Sequence, residues 1–424
     1  MKRILLTLAF TLTSVLIAHS ALSEERSQHK ALWSKMESGQ CQPALEKLNR
    51  LANVGDGFAQ TLLGITLNGG VCVEKSQVDA VRWFRKAADQ GSPEGQLLLG
   101  TVYESGEGVS KDVHEAVAWY RKAAEQGFAN AQFDLGRMYL NGLGVPKDER
   151  DAVMWYRKAA EQGYAQAQVS LGEMYRDGRG VTKDDHAAVA WFQKAADQGD
   201  ASGQNGLGFM LNKGRGVPND DREAAAWFRK AAEQGDALGQ TNLGVMFAKG
   251  MGVPQNDREA VAWFRKAAEH GDAAAQNKLG LMYANGQGVN KDDHEAVAWY
   301  RKAAEQGDAS GQNSLGVAYE NGQGVRQDEA EAKKWFHMAA QAGNAWGQRN
   351  LGRLLRDGRG VAPNSVEAHA WLNLAASAIE PYPDAANERD DLGRQLNSAQ
   401  RAEAQRLARE WQPGQGLGTA KGKQ

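Results

Sequence analysis

Between Ala129 and Gly163 the apolar positions follow a helical period, stop, and resume. Ala131, Leu135, Met138 and Tyr139 recur at three- and four-residue steps and share one helix face. Asn141-Gly142-Leu143-Gly144 interrupts the pattern, and glycine can take the left-handed conformation that closes a helix. A second helix then begins at a polar capping residue. In the copy before, it opens at Asp112 and buries Ala116, Val117, Trp119, Tyr120, Ala123 and Ala124, and Gly127 stops it. Glu115, three residues after Asp112, suggests a capping box with negative charge at the positive end of the helix dipole.

This helix–turn–helix unit recurs nine times. Trp83, Trp119, Trp155, Trp191, Trp227, Trp263, Trp299, Trp335 and Trp371 are each 36 residues apart, as are the glycines from Gly64 through Gly100 and Gly136 to Gly352. The expected caps of the second helices are Ser76, Asp112, Asp148, Asp184, Asp220, Asn256, Asp292, Asp328 and Asn364. A glycine inside a helix costs about 1 kcal/mol relative to alanine. Its strict recurrence predicts a helix–helix approach too close for a Cβ. One pair of helices cannot bury its own indole, so stacked units are expected to form one continuous core. In that picture Trp191→Ala would cost about 3–5 kcal/mol.

The fold class is therefore all-α, a solenoid of helix-turn-helix units with nine tandem repeats over 57–378. Residues 24–56 are expected to form a capping half-repeat, a lone second helix over 44–55 with Lys47 in the Trp register. Residues 379–411 predict two capping helices, near 384–395 and 399–410, the latter capped by Ser398. The tail, 412–424, is expected to be disordered.

At the other end, Lys2 and Arg3 precede an apolar run from Ile4 to Ala18 that is short for a bilayer span. This predicts a signal peptide over 1–23, cut after Ser23 before the polar Glu24-Glu25; an uncleaved anchor is the alternative. The mature chain is then expected to be periplasmic or secreted, without stable membrane insertion. A net charge of −2 on 424 residues gives no electrostatic case for nucleic acid.

Cys41 and Cys72 are the only cysteines. In an oxidising compartment they predict a disulfide. Cys41 lies at the start of the lone second helix. Cys72 follows the next, antiparallel helix, in the turn position that is glycine in the eight later copies. The register brings both thiols to one edge of the array.

Catalytic chemistry finds little support. His114, His186 and His294 occupy equivalent positions two or three repeats apart, too far to share a metal. The Gly-x-Gly-Val turns follow helices and lack the Lys-Ser/Thr of a phosphate loop. The Trp ladder fits packing better than carbohydrate or base stacking. No catalytic, cofactor-binding or metal residue is assigned.

The motifs A-x-x-x-L-G-x-x-Y, G-x-G-V-x-x-D and A-V-x-W-[FY]-R-K-A-A-E-Q-G, as in Ala131 to Gly163, resemble the Sel1-like repeat, a relative of the tetratricopeptide repeat. The resemblance implies right-handed superhelical stacking and protein–protein scaffolding, and for exported bacterial members roles in envelope signalling, assembly or host contact. It also implies that the free face of the first helices lines a concave groove. Along that face run an apolar stripe, Phe209, Val245, Leu281 and Val317, and an amide/hydroxyl ladder, Asn205, Thr241, Asn277 and Asn313. Arg349, Arg353 and Arg356 follow and could receive an acidic group. The expected partner is a protein or extended peptide, held rather than turned over. Two alternatives stand beside it, a hydrolase binding cell-wall fragments or penicillin-type ligands, and a purely structural envelope-assembly factor. A cysteine-rich branch of the family is described as penicillin-binding; it carries paired cysteines in its repeats, and this chain does not.

Overall fold

The computed structural model describes residues 24–378, 384–414 and 417; the expected leader and most of the tail lie outside them. Among the described residues there are 22 helices and no strand. An opening pair, α1 (Glu24–Glu37) and α2 (Cys41–Asn53), precedes the repeats. The paired helices then run α3 (Gly57–Gly69), α4 (Gln77–Asp89), α5 (Pro93–Ser105), α6 (Val113–Glu125), α7 (Ala129–Asn141), α8 (Glu149–Glu161), α9 (Ala165–Asp177) and α10 (Asp185–Asp197). They continue through α11 (Ala201–Lys213), α12 (Asp221–Glu233), α13 (Ala237–Lys249), α14 (Asp257–Glu269), α15 (Ala273–Asn285) and α16 (Asp293–Glu305). The last are α17 (Ala309–Asn321), α18 (Glu329–Gln341), α19 (Ala345–Asp357) and α20 (Ser365–Ser377), followed by α21 (Ala385–Gln395) and α22 (Ser398–Glu410). The chain divides into two compact units, residues up to Met210 with Arg215–Pro218, and Leu211–Gly214 with Asn219 onward.

The nine expected caps each accept a backbone N–H at the start of a second helix. In three copies the acid three residues on takes a role other than the capping box expected. Glu115, Glu223 and Glu367 accept the indole N–H of Trp119, Trp227 and Trp371, one turn ahead. The one capping box among the described helices is at α22, where the cap is Asn397 rather than Ser398.

The internal glycine has a specific neighbour. A Cβ on Gly136 would meet the Tyr156 ring at 2.7 Å, one on Gly244 the Phe264 ring at 2.6 Å, and one on Gly316 the Phe336 ring at 2.6 Å. Where an aromatic residue follows the Trp, as in every copy but the last, which has Leu372, it sits deep, and in these three copies it is driven onto the bare backbone of its partner helix. Phe84, Tyr120, Phe192 and Phe336 are fully buried. Apart from Trp371, which is fully buried, the tryptophans lie further out. Trp119, Trp155, Trp263 and Trp371 are buried, whereas Trp83, Trp191, Trp227, Trp299 and Trp335 are half-buried. Trp155, for example, packs both on Ala116, Val117 and Tyr120 of the preceding repeat and on Leu135 and Met138 of its own. Seven lysines cover the outer faces of tryptophans, such as Lys122 Nζ at 3.7 Å from the Trp119 ring centre and Lys230 Nζ at 3.6 Å from that of Trp227. Stacking therefore makes the core continuous within each unit, but Trp191→Ala should cost less than the 3–5 kcal/mol of a fully buried aromatic.

Buried glutamines tie neighbouring repeats together. Gln126 Nε2 donates to Gln96 Oε1 at 2.7 Å, and Gln96 Nε2 donates to the Ala88 carbonyl at 3.3 Å. The same rung joins Gln90 to Gln60, Gln162 to Gln132, Gln198 to Gln168 and Gln306 to Gln276. In the second unit the rung fails where the donor is replaced. His270 and Ala342 stand in its place, and Gln240 Oε1 and Gln312 Oε1 are buried without a partner.

The N-terminal end differs from the expected lone helix. The 24–56 segment holds a pair, because α1 packs Leu32, Trp33 and Met36 against Ala44 and Leu48 of α2. Cys41 and Cys72 form the expected disulfide, with Cα atoms 5.3 Å apart. Its geometry comes from the repeat itself. In the next copy a Cβ on Gly108 would meet the Gln77 carbonyl at 2.4 Å, and Gln77 and Gly108 are the register equivalents of Cys41 and Cys72. The disulfide thus makes covalent a contact that later repeats make through glycine. Cys72 consequently sits at φ 62°, and is the one non-glycine residue at positive φ among those described.

Candidate functional cleft

One register of the first helices decides whether neighbouring repeats close over each other. In the first unit, Glu104 of α5 meets Arg137 of α7 in a two-bond clamp, 2.7 and 2.6 Å. The Tyr120 hydroxyl donates to the same carboxylate at 2.8 Å. Burial alone would raise the Glu104 pKa, but the Arg137 guanidinium holds it below the usual value. Burial pushes neighbouring Asp134 up to about 6, with Arg137 opposing. The second unit repeats the clamp six copies later, where Arg353 of α19 donates to both oxygens of Glu320 of α17 at 2.6 and 2.7 Å.

In the two copies just before the second clamp, the register carries uncharged aliphatic residues instead. Ala284 replaces the glutamate and Val317 the arginine; one repeat earlier Ala248 and Leu281 do so. With no clamp to fill it, the space is a cleft of about 500 Å³ in the second unit, lined by Asn277, Lys278, Leu281, Ala284, Asn313 and Val317 among others. Trp346 of α19 stands at its edge, 53% exposed, and Leu281 is 40% exposed. The Asn277 side chain is 7% exposed, and its Oδ1 has no hydrogen-bond partner. Lys278 also lines the cleft, and burial, then repulsion from Lys249, lowers its pKa.

Four of the sequence-derived groove residues, Asn277, Leu281, Asn313 and Val317, therefore meet in this cleft. The others do not line it. Asn205 and Phe209 belong to the first unit, where the Arg176 guanidinium lies 5.9 Å from the Phe209 ring centre. The Thr241 hydroxyl is committed to the Ala237 carbonyl at 2.9 Å and Asp272 Oδ1 at 3.1 Å, and Val245 is half-buried. The three arginines already hold carboxylates of their own chain. Arg349 pairs with Glu388, Arg353 with Glu320, and Arg356 with Asp357 at 2.6 Å. They are not open receivers for an acidic group. Trp346 and Lys278 were missed because neither lies in the stripe or the ladder. Ala284 could have been found by asking where the Glu–Arg pair, 33 residues apart, gives way to small residues.

No group of His, Cys, Asp or Glu among the described residues is arranged to hold a metal ion, and no described helix is long and apolar enough to cross a membrane. His114 instead places Nδ1 3.0 Å from the Gly144 carbonyl oxygen.

Comparison with known proteins agrees with the repeat register. The Sel1 repeat model matches nine consecutive segments, from 57–92 through 309–344, and 347–378. The chain is similar to a protective antigen of uropathogenic Escherichia coli strains displaying an SLR fold, with 32% identity, coverage of 87% of this chain and 94% of that one, and a TM-score of 0.56. It is also similar to a Sel1 repeat protein from Oxalobacter formigenes, with 35% identity, coverage of 57% and 96%, and a TM-score of 0.54. No curated protein sequence matches it. Sel1 repeat proteins are generally non-enzymatic protein-interaction scaffolds built as helical solenoids. Nine repeats spanning most of its length make this chain a member of the Sel1 repeat family.

Proposed function

We propose that this chain is an exported, non-catalytic scaffold that holds an extended segment of a partner protein in the Asn277–Val317 cleft. The observation that carries the reading is the coincidence at one place of an apolar floor, Leu281 and Val317, an amide edge, Asn277 and Asn313, and an exposed indole, Trp346. Apolar anchors bury surface, and side-chain amides can satisfy the backbone groups of an extended peptide. Export is supported by the Lys2/Arg3 and Ile4–Ala18 pattern, by the disulfide, and by similarity to a protein described as a protective antigen.

A photocrosslinking residue placed at Val317 in the cells of origin, with Met154 on α8 as control, tests the reading. The expected result is a discrete partner adduct from position 317 and none from 154, lost when Asn277→Ala and Leu281→Glu are added. Adducts from 154 alone, or from both positions and insensitive to the cleft substitutions, would move the interaction elsewhere. N-terminal sequencing of an envelope extract tests export, with a start at Glu24 expected; intact Met1 protein in the cytosol would contradict it.

A further inference from the structure

Lys278 differs from four arginines of the last repeat. Arg349, Arg353, Arg356 and Arg359 each pair with a carboxylate. Among the described residues Lys278 has no such partner, although it is half-buried and lines the cleft. The charges acting on it are Lys249, which repels it, and Asp308 and Asp272, which attract it, neither of them in an ion pair with it. Both aspartates are helix caps. Asp272 Oδ1 accepts from the Ala275 amide at 2.7 Å and from Thr241, and Asp308 Oδ1 accepts from the Gly311 amide at 2.6 Å. Their charge is drawn to the positive ends of α15 and α17. The other charged residue lining the cleft, Asp293, has Lys291 at 3.5 Å. The next residue along the chain, Asn277, lacks a donor for its buried oxygen. A polar group left unpaired in a protected site is costly, and both groups could be satisfied by one ligand.

We propose that the cleft selects a peptide segment carrying an acidic residue beside an apolar one. The carboxylate pairs with Lys278, a backbone N–H of the segment meets the Asn277 amide oxygen, and the apolar side chain rests on Leu281, Val317 and Trp346. An aspartate or glutamate in an extended chain is the simplest unit that offers both the anion and the N–H donor. This rests on the peptide-cleft reading above and adds the chemistry of the occupant.

Bead-bound octapeptide libraries supply the test. Seven positions mix Leu, Val, Phe, Ala, Ser and Asn, and the remaining central position is fixed as Asp, Asn or Lys. The labelled mature protein with its disulfide intact is the probe, with circular dichroism as a check on folding. The expected result is about tenfold greater retention on the Asp library than on the Asn library, the size of a charge-assisted hydrogen bond. Lys278→Met should bring that ratio close to one, Lys278→Arg should preserve it, and Leu281→Glu should abolish retention on every library. Equal retention on the Asp and Asn libraries, with Leu281→Glu still blocking it, would overturn the acidic preference and leave the cleft reading standing. Retention unaffected by Leu281→Glu, or no retention on any library, would overturn both.

Discussion

The Glu104–Arg137 copy in the first unit and the Ala284–Val317 copy in the second have the same backbone and opposite surfaces. Both sit on 13-residue first helices opposite an aromatic residue packed on a bare glycine, Tyr120 on Gly100 and Tyr300 on Gly280. In one, two long charged side chains bridge adjacent repeats and bring a tyrosine hydroxyl with them. In the other, alanine and valine leave a cleft. The frame and the surface are therefore separable. Positions buried by stacking recur in every copy, and a single register on the free face sets what the solenoid can hold.

The largest test of that separation is to break the frame equally in both units. Phe192→Ala and Phe336→Ala remove fully buried rings at equivalent positions, and each should cost about 3–5 kcal/mol. Hydrogen exchange should report the loss mainly in the adjacent repeats. A cost well below that range at either site would show that the two units do not share one core design.

Next in size is the N-terminal joint. Cys41→Gln combined with Cys72→Gly rebuilds the Gln77–Gly108 contact without the covalent bond. In the chain-entropy account a loop of this length is worth roughly 3–4 kcal/mol, reduced here by relief of the positive φ at position 72. Denaturant unfolding should show a net loss of about 2–3 kcal/mol. No loss would mean that the glycine contact suffices.

A smaller effect probes the clamp. With a folded pKa raised to about 6, Asp134 favours its protonated form, so its ionisation lowers stability as pH rises from its unfolded value towards 6. Asp134→Asn should therefore stabilise the first unit by about 1 kcal/mol at neutral pH. This is less than the roughly 3 kcal/mol that so raised a pKa implies, because the side chain is partly exposed and the amide gives up the Arg137 ion pair. The gain should fade as pH drops through the window between about 6 and 4. Glu104 has the opposite sign. Its folded pKa is depressed, so its contribution is present above the unfolded value and lost as pH falls through the folded one. A pH-independent effect of Asp134→Asn would contradict this assignment.

The smallest concerns the glutamine rungs, complete among the described rungs of the first unit and interrupted in the second. Ala342→Gln offers a donor to the orphaned Gln312 Oε1, and should raise stability by about 1 kcal/mol in thermal or denaturant unfolding. A neutral result would show that the gap is already satisfied by solvent.

Much of this frame was legible in the residues. The 36-residue spacing of Trp and Gly, the nine caps and the cysteine register rest on short-range rules of helix chemistry. The depth of the aromatic residue that follows the Trp in the first eight copies was not, because both are aromatic and periodicity cannot rank them; the glycine contact does. α1 was missed since 24–37 carries no copy of the repeat signature. The candidate site was legible in part. Asn277, Leu281, Asn313 and Val317 could be picked by tracing one face, but which groups are already occupied depends on neighbours far along the chain. Arg349 is engaged by Glu388 from α21, 39 positions away, and no local pattern announces it.

Transplanting the clamp tests the central claim most directly. Ala284→Glu with Val317→Arg places in the open copy the pair found at 104/137 and 320/353. The double variant should keep its helicity and thermal stability within about 1 kcal/mol, as a partly exposed ion pair would. Partner capture by the mature protein, measured by crosslinking from position 313, should fall to background. Capture at the wild-type level from a folded double variant would contradict the account, because the cleft would then be closed and binding would persist.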